Sequence, residues 1–196
     1  MRRASALAGA GSRVLLGLAG APGAGKSTLA QALVEALAGQ AVLVPMDGFH
    51  LADPELDRLG CRDRKGAPET FDAAGYVHLL RRLRSREDMV VYAPVFVREQ
   101  EQAVAGALAV PREVPLVVTE GNYLLADGGF AAVRGLLDET WFVDVDPVLR
   151  RQRLAARHVH HGRTPEQAEQ WVTSSDDVNA RLVDATRERA DLVVRV

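Results

Sequence analysis

The segment GAPGAGKS, Gly20–Ser27, constrains the fold of this chain more than any other stretch. It matches the phosphate-binding pattern G-x-x-x-x-G-K-[ST] at every fixed position, and it lies between an apolar run and a helix-like run. Glycines allow the backbone to curl until several N–H groups point at one anion, which the positive end of the following helix also attracts. The segment therefore predicts a nucleoside triphosphate site made by Gly20, Ala21, Pro22, Gly23, Ala24, Gly25, Lys26, Ser27 and Thr28. Within it, we expect Lys26 to reach the terminal phosphates of ATP and the Ser27 hydroxyl to bind Mg²⁺.

Short apolar runs alternate with amphipathic stretches along the rest of the chain. This alternation is typical of an α/β protein in three layers, a mainly parallel sheet with helices on both faces. Two further apolar runs, MVVYAPVF and AVAGALAV, flank a polar turn and predict a hairpin inserted into the sheet. No linker divides the chain, so we expect residues 1–196 to form a single domain, with residues 1–12 frayed.

The composition excludes some classes of protein. The net charge of −2 in 196 residues gives no general attraction to nucleic acid or to a membrane surface, and no apolar run has the length of a membrane span. Cys61 is the only cysteine, so no internal disulfide can form. These features favour a cytoplasmic protein.

A phosphate-binding loop does not by itself identify a reaction. The chain has neither the Asn-Lys-x-Asp element of guanine-specific GTPases nor the Ser-Gly-Gly signature of transporter ATPases. A kinase is the interpretation that these absences favour. The alternative is a nucleotide-binding regulatory or scaffold protein with little turnover.

Two acidic residues come directly after apolar, strand-like runs. Glu120 ends the run PLVVTEG, and Asp47 follows AVLVPM. Ligands of parallel α/β sheets bind beyond the carboxyl ends of the strands, so both side chains are expected beside the phosphate loop. Glu120 is then a candidate Mg²⁺ ligand, unless it faces solvent. Asp47 is a candidate base for an acceptor hydroxyl, and Phe49 and His50 are candidates to line the acceptor pocket.

Several segments in this order resemble the superfamily of uridine kinase, phosphoribulokinase and bacterial pantothenate kinase, whose members are P-loop kinases. They are GLAGAPGAGKSTLA, MDGFHL, RKGAPETFDAAGYVHLLRRLR, VYAPVFVRE, VVTEGNYLL and ARHVHHGRTPEQAEQWV…NARLV. Within the superfamily the chain is most similar to a bacterial group labelled fructose-transport-system or nucleoside/nucleotide kinases, from about Arg13 to Val196. The resemblance implies that Asp47 is the catalytic base, that Glu120 is the strand-end acid and that a lid follows Asp146. Val97 stands where relatives often carry an aspartate.

A long polar loop and the inserted hairpin are expected to border the acceptor. The loop contributes Arg64 and Lys65, and the hairpin contributes Tyr92 and Arg98. Long loops in compact domains are commonly functional, although a solvated basic loop is the competing interpretation.

The segment from Arg150 to Arg163 contains five arginines, three histidines and no acid, which is unusual for an ordinary helix surface. Arg153 and Arg157 are four residues apart and share one helix face. With Arg163 they predict an arginine-rich lid, residues 148–175, that closes over the triphosphate. The competing interpretation is an ordinary basic helix.

The sequence thus predicts a kinase that uses ATP and Mg²⁺ to phosphorylate a hydroxyl of a small polar metabolite. A sugar, a nucleoside and a pantothenate-like compound all remain open as the acceptor. A homodimer is a further possibility, because dimers are common among such kinases.

Overall fold

The computed structural model describes residues 1–196, which form seven helices, seven strands and short helical turns. The helices are α1 (Arg2–Ala8), α2 (Lys26–Ala36), α3 (Asp53–Leu59), α4 (Ala73–Ser85), α5 (Pro147–His160), α6 (Pro165–Trp171) and α7 (Asp177–Asp184). The strands are β1 (Val14–Ala19), β2 (Ala41–Pro45), β3 (Val90–Val97), β4 (Gln102–Pro111), β5 (Leu116–Gly121), β6 (Glu139–Asp144) and β7 (Leu192–Arg195).

Five of the strands form one parallel sheet in the order β2-β5-β1-β6-β7. The central strand β1 and its neighbour β5 are buried along their whole length, as the continuous apolar runs of a two-sided parallel sheet require. One face of the sheet packs against α4, and the other packs against α1 and α2. The predicted three-layer α/β fold is therefore confirmed.

The register of the sheet places three strand ends at one level. Glu120 of β5 lies opposite Leu18 of β1 on one side and opposite Pro45 of β2 on the other. The residues that follow each strand therefore leave the same edge of the sheet side by side. This edge is where the phosphate loop and Asp47 begin.

The N-terminal segment is ordered in the structure, so the expected fraying of residues 1–12 is wrong for most of it. Ala4 and Ala8 of α1 are buried in the core cluster that also contains Leu33 and Trp141. Arg3 also forms a salt bridge with Glu139 at 2.5 Å. Two alanines one helical turn apart are a short apolar stripe, which accounts for the docking.

The predicted hairpin forms, but it is not part of the parallel sheet. Strands β3 and β4 pair antiparallel as a separate two-stranded sheet, with an irregularity between Ala93 and Val95. Val91, Ala93 and Val110 are buried in the main core, and these anchor the hairpin to the domain. The hairpin also contacts the helical turn Met46–Phe49 that follows β2.

Gly48 is a point of close approach between that turn and the hairpin. A Cβ atom at this position would lie 2.3 Å from the carbonyl oxygen of Pro94, which is a backbone atom that cannot rotate away. The room that Gly48 leaves is therefore occupied by the hairpin backbone.

None of the helices is both long and apolar enough to cross a membrane.

We predict that Gly48→Ala lowers the free energy of unfolding by about 1–3 kcal/mol, because the hairpin must shift to accept the methyl group. Urea unfolding measures this change. Gly135→Ala is the matched control, since nothing lies within 4 Å of a Cβ atom there. Equal stability of the two variants would contradict the close contact.

Candidate functional site

The phosphate loop joins β1 to α2 in a conformation that depends on its glycines. Gly23 and Gly25 have φ angles of 79° and 90°, in the region that L side chains rarely adopt. A Cβ atom at Gly23 would also lie 2.8 Å from Cγ of Leu154, so α5 packs directly on the loop. The helix α2 begins at Lys26, immediately after Gly25, and its first N–H groups border the loop.

Lys26 is buried and makes no contact with a carboxylate. Its Nζ donates hydrogen bonds to the carbonyl oxygen of Ala21 at 3.0 Å and to Oδ1 of Asn122 at 2.8 Å. Burial lowers the pKa of Lys26, while the charges of Glu120 and Asp47 act in the opposite direction. The side chain is thus held in place by neutral acceptors, and its charge is available to an anion.

Glu120 lies beside the phosphate loop, as its position at the end of β5 predicts. Its Oε1 accepts a hydrogen bond of 3.1 Å from the Ser27 hydroxyl. Burial, followed by the charge of Asp47, raises the pKa of Glu120 to about 7. A carboxylate and a hydroxyl are the hard oxygen ligands that Mg²⁺ prefers, and it commonly takes its other ligands from phosphates and water. The donor set therefore fits Mg²⁺ bound together with a triphosphate.

Asp47 lies in the helical turn after β2, with a side chain that is 29% exposed. Its nearest cation is Arg98, whose Nη2 lies 3.6 Å from Oδ2 of Asp47. The carbonyl oxygen of Asp47 accepts a hydrogen bond of 2.8 Å from Nδ1 of His50. A carbonyl can only accept, so Nδ1 carries the proton of His50, and burial lowers the pKa of this imidazole.

One cavity of about 700 Å³ connects these groups. Fourteen of the residues predicted from the sequence line it: Pro22, Gly23, Gly25, Lys26, Ser27, Thr28, Asp47, His50, Lys65, Arg98, Glu120, Arg153, Arg157 and Arg163. Gly20, Ala21 and Ala24 belong to the loop but are buried behind its surface.

Three residues predicted to contact the acceptor lie outside this cavity. Phe49 packs on the core ring of Tyr76, with ring centroids 5.3 Å apart, because the helical turn directs it under the sheet edge. Arg64 is exposed and pairs with Glu69 at 3.0 Å. Tyr92 is 61% exposed, because it alternates with the buried Val91 and Ala93 and so points away from the core. The structure thus gives no support to a contact between these three side chains and an acceptor in the cavity.

Lys65 lines the cavity, but its ammonium group is engaged by the protein. Nζ donates to Oδ1 of Asp53 and to the carbonyl oxygen of Glu101, both at 2.6 Å. The second bond joins the polar loop to the tip of the hairpin. Lys65 therefore connects two walls of the cavity.

The predicted lid arginines come together on the opposite wall. Arg153 lies beside the phosphate loop, with Nη1 3.7 Å from the position of a Cβ atom on Gly25. Burial, and then the charge of Arg98, lower the pKa of Arg157. The guanidinium of Arg163 stacks 3.9 Å from the ring centroid of Trp171, which lines the cavity as well.

Sequence reasoning missed several residues that line the cavity. Asn122 holds Lys26 and follows Glu120 by two residues, so its position after β5 was the available signal. Phe96, His158, Asp176 and Asn179 carried no comparable signal, because long-range packing brings them to the site.

A comparison with protein-family models matches residues 15–196 to the phosphoribulokinase/uridine kinase family. The chain belongs to this family. Several relatives of the chain are named kinases, and membership of this P-loop kinase family implies the use of ATP.

The relatives carry different substrate names. A putative uridine kinase of Schizosaccharomyces pombe is 34% identical over 195 residues, covering 93% of this chain and 83% of that protein. A pantothenate kinase of Mycolicibacterium vanbaalenii is 30% identical over 208 residues, covering 92% of this chain and 66% of that protein. The crystal structure of a putative fructose transport system kinase from Silicibacter sp. TM1040 has 37% identity and a TM-score of 0.88, with 99% of both chains covered.

We predict that Arg98→Ala raises the KM of the phosphoryl acceptor about tenfold, because it removes the cation beside Asp47 at the cavity wall. Arg64→Ala and Tyr92→Ala should leave this KM within about twofold of wild type, since both side chains lie outside the cavity. Steady-state kinetics with varied acceptor measures all three. A large effect at Arg64 or Tyr92 would contradict the placement described above.

Proposed function

We propose that this protein is an ATP-dependent kinase that transfers the γ-phosphate to a hydroxyl group of a small polar metabolite. One observation carries the proposal: the phosphate loop with Lys26, the Ser27–Glu120 pair and the carboxylate of Asp47 all face a single cavity. A site for a triphosphate thus adjoins a proton acceptor, and transfer to an alcohol needs both.

The phosphate loop and Lys26 bind the triphosphate in this proposal. Backbone N–H groups at the start of α2 bind phosphate oxygens, and the Lys26 ammonium compensates the charge of the β- and γ-phosphates. Ser27 and Glu120 would hold Mg²⁺, which would neutralise phosphate charge when bound. Asn122 keeps Lys26 directed at the loop through the 2.8 Å hydrogen bond.

Asp47 acts on the acceptor. Its carboxylate accepts the proton of the acceptor hydroxyl and orients the oxygen for in-line attack on the γ-phosphorus. The bond between the γ-phosphorus and the bridging oxygen breaks, and ADP leaves with that oxygen. Arg98, with Nη2 3.6 Å from Oδ2 of Asp47, lies close enough to Asp47 to bind a polar group of the same acceptor.

The lid arginines stabilise the transferring phosphoryl group. Arg157 lies among Arg98, Asp176 and Asp47, and it forms no salt bridge with any of the neighbouring acids. A guanidinium held without a carboxylate partner at a cavity wall is suited to bind the charge that spreads over the phosphoryl oxygens. Arg153, beside Gly25, is placed to contact ATP.

The walls of the cavity favour an acceptor without an aromatic base. Apart from histidines, the aromatic side chains that line it are Phe96 and Trp171. Lys65, Arg98 and His50 already cover Phe96, and the guanidinium of Arg163 covers Trp171. Stacking of a nucleobase on either ring would have to displace these side chains. A sugar, polyol or hydroxy acid, bound by the charged groups, fits the walls better than a nucleoside.

The alternative is a nucleotide-binding regulatory or scaffold protein. The presence of Lys26, Ser27, Asp47 and Glu120 in one cavity favours the enzyme, because a protein that only binds nucleotide has no use for Asp47. ADP release from ATP and Mg²⁺, with and without sugars, polyols, hydroxy acids, nucleosides and pantothenate, separates the two. Release that no acceptor stimulates would favour the alternative.

We predict that Glu120→Gln raises the Mg²⁺ concentration needed for half-maximal turnover about tenfold, because the amide is a weaker ligand than the carboxylate. Circular dichroism should show an intact fold, since Gln can still accept the hydrogen bond from Ser27. A Mg²⁺ titration identical to that of the wild type would exclude Glu120 as a metal ligand.

We predict that Asp47→Asn slows phosphoryl transfer by about 10²–10⁴-fold while ATP and acceptor still bind, because the variant keeps the size of the side chain and loses the proton acceptor. Single-turnover kinetics at saturating ATP and acceptor measures the step. Asp63→Asn, at an exposed position outside the cavity, is the matched control. A rate within a few-fold of wild type would assign Asp47 to the turn structure alone.

A further inference from the structure

The three histidines of the segment HVHH, His158–His161, have different environments. His160 and His161 are exposed and contact each other, with ring centroids 5.2 Å apart. The side chain of His158 is only 14% exposed, and it lies between Asp176 and Arg163. His158 and His161 both line the cavity, but His158 is the one whose side chain is buried in the cavity wall.

Hydrogen bonds determine the tautomer of His158. Nη1 of Arg163 lies 3.2 Å from Nδ1 of His158, and because a guanidinium can only donate, Nδ1 must carry a lone pair. Nε2 of His158 lies 2.7 Å from Oδ2 of Asp176, so Nε2 carries the proton and donates it to the carboxylate. The result is a directed chain from Arg163 through His158 to Asp176.

Two further features fix the ends of this chain. The π-helical stretch Val172–Asp176 connects α6 to α7 and brings Asp176, with a side chain 9% exposed, to the cavity wall. Such stretches often occur at functional sites, because they redirect one side chain within a helix. At the other end, Trp171 supports the guanidinium of Arg163 at 3.9 Å, and the ring of His158 meets Trp171 edge-on at 6.4 Å.

We infer that His158 and Asp176 are positioning residues that orient Arg163 toward the transferring phosphoryl group. This inference rests on the proposed function. It assigns His158 a role in orienting Arg163 and not in binding a metal ion. The neutral imidazole can hold Arg163 without competing for its charge, whereas a carboxylate in the same place would form an ion pair with it. Four of the five N–H groups of Arg163 remain available to phosphate oxygens, because His158 accepts only one.

The first test replaces the middle of the chain. We expect His158→Phe to lower kcat about 10- to 100-fold with little change in the acceptor KM, because a misplaced guanidinium acts mainly on the transition state. His158→Gln should retain most of kcat, since its amide can both accept from Arg163 and donate to Asp176. His160→Phe, in the same segment but outside the cavity, is the matched control. Equal losses in the Phe and Gln variants would overturn the inference.

The second test asks whether His158 acts through Arg163. If it does, the double variant His158→Phe/Arg163→Ala should be no slower than Arg163→Ala alone. Multiplied losses in the double variant would assign His158 a separate, structural role and overturn the inference. Thermal unfolding of each variant identifies any that fail to fold, and the Gln variant then carries the comparison.

A readout without turnover separates this inference from the proposed function. Trp171 reports on Arg163, and Trp141→Phe removes the only other tryptophan. In that background, addition of ATP and Mg²⁺ should change the Trp171 fluorescence. This fluorescence response should differ from that of the background to the same extent in His158→Phe and in Arg163→Ala. His158→Gln should keep the response of the background. If the Trp171 responses follow this pattern but no acceptor is phosphorylated, the kinase proposal alone is contradicted. Kinase activity with Trp171 responses that differ between the Phe and Ala variants would contradict the positioning role alone.

Discussion

The parallel register that pairs β5 with both β1 and β2 is the constraint on which the rest of the site depends. It places Glu120 level with Leu18 and Pro45, so the phosphate loop and the turn with Asp47 both begin within two residues of that level. A slip of one residue in β5 would turn Glu120 to the other face of the sheet and move Asn122 away from Lys26. Backbone hydrogen bonds within the sheet thus determine the distances among groups that belong to separate loops.

The site concentrates charge that the protein does not neutralise by itself. Lys26 is buried against neutral oxygens, and the pKa of Glu120 is raised to about 7, because each is removed from water without a full partner. Buried charges of this kind reduce stability unless a ligand compensates them. The metal–nucleotide complex of the proposed function would bring both signs of charge, positive beside Glu120 and negative beside Lys26. The cavity is therefore arranged for a ligand of mixed charge.

The parts of the site that were predictable from the sequence are those governed by local rules. Gly20–Ser27 is a contiguous motif, and Asp47 and Glu120 follow strands whose apolar runs are easily read. The directions of Phe49 and Tyr92 were not predictable, because one follows a helical turn and the other lies on a hairpin with a separate core face. Helix α3 was also missed, although Pro54 in its first turn and Gly60 after its end are ordinary boundary signals. Packing between elements distant in sequence decides such details.

The hairpin β3–β4 lies outside the parallel sheet, so two structurally separate parts of one small domain build the cavity. The sheet and phosphate loop supply the nucleotide half of the cavity, whereas Phe96 and Arg98 of the hairpin contribute to the opposite half. The hairpin joins the domain through buried residues, through the contact at Gly48 and, at its tip, through the hydrogen bond from Lys65 to the carbonyl oxygen of Glu101, but its strands do not pair with the parallel sheet. A change in the hairpin would therefore reshape the half of the cavity that it lines, while the register of the sheet and the phosphate loop stay in place.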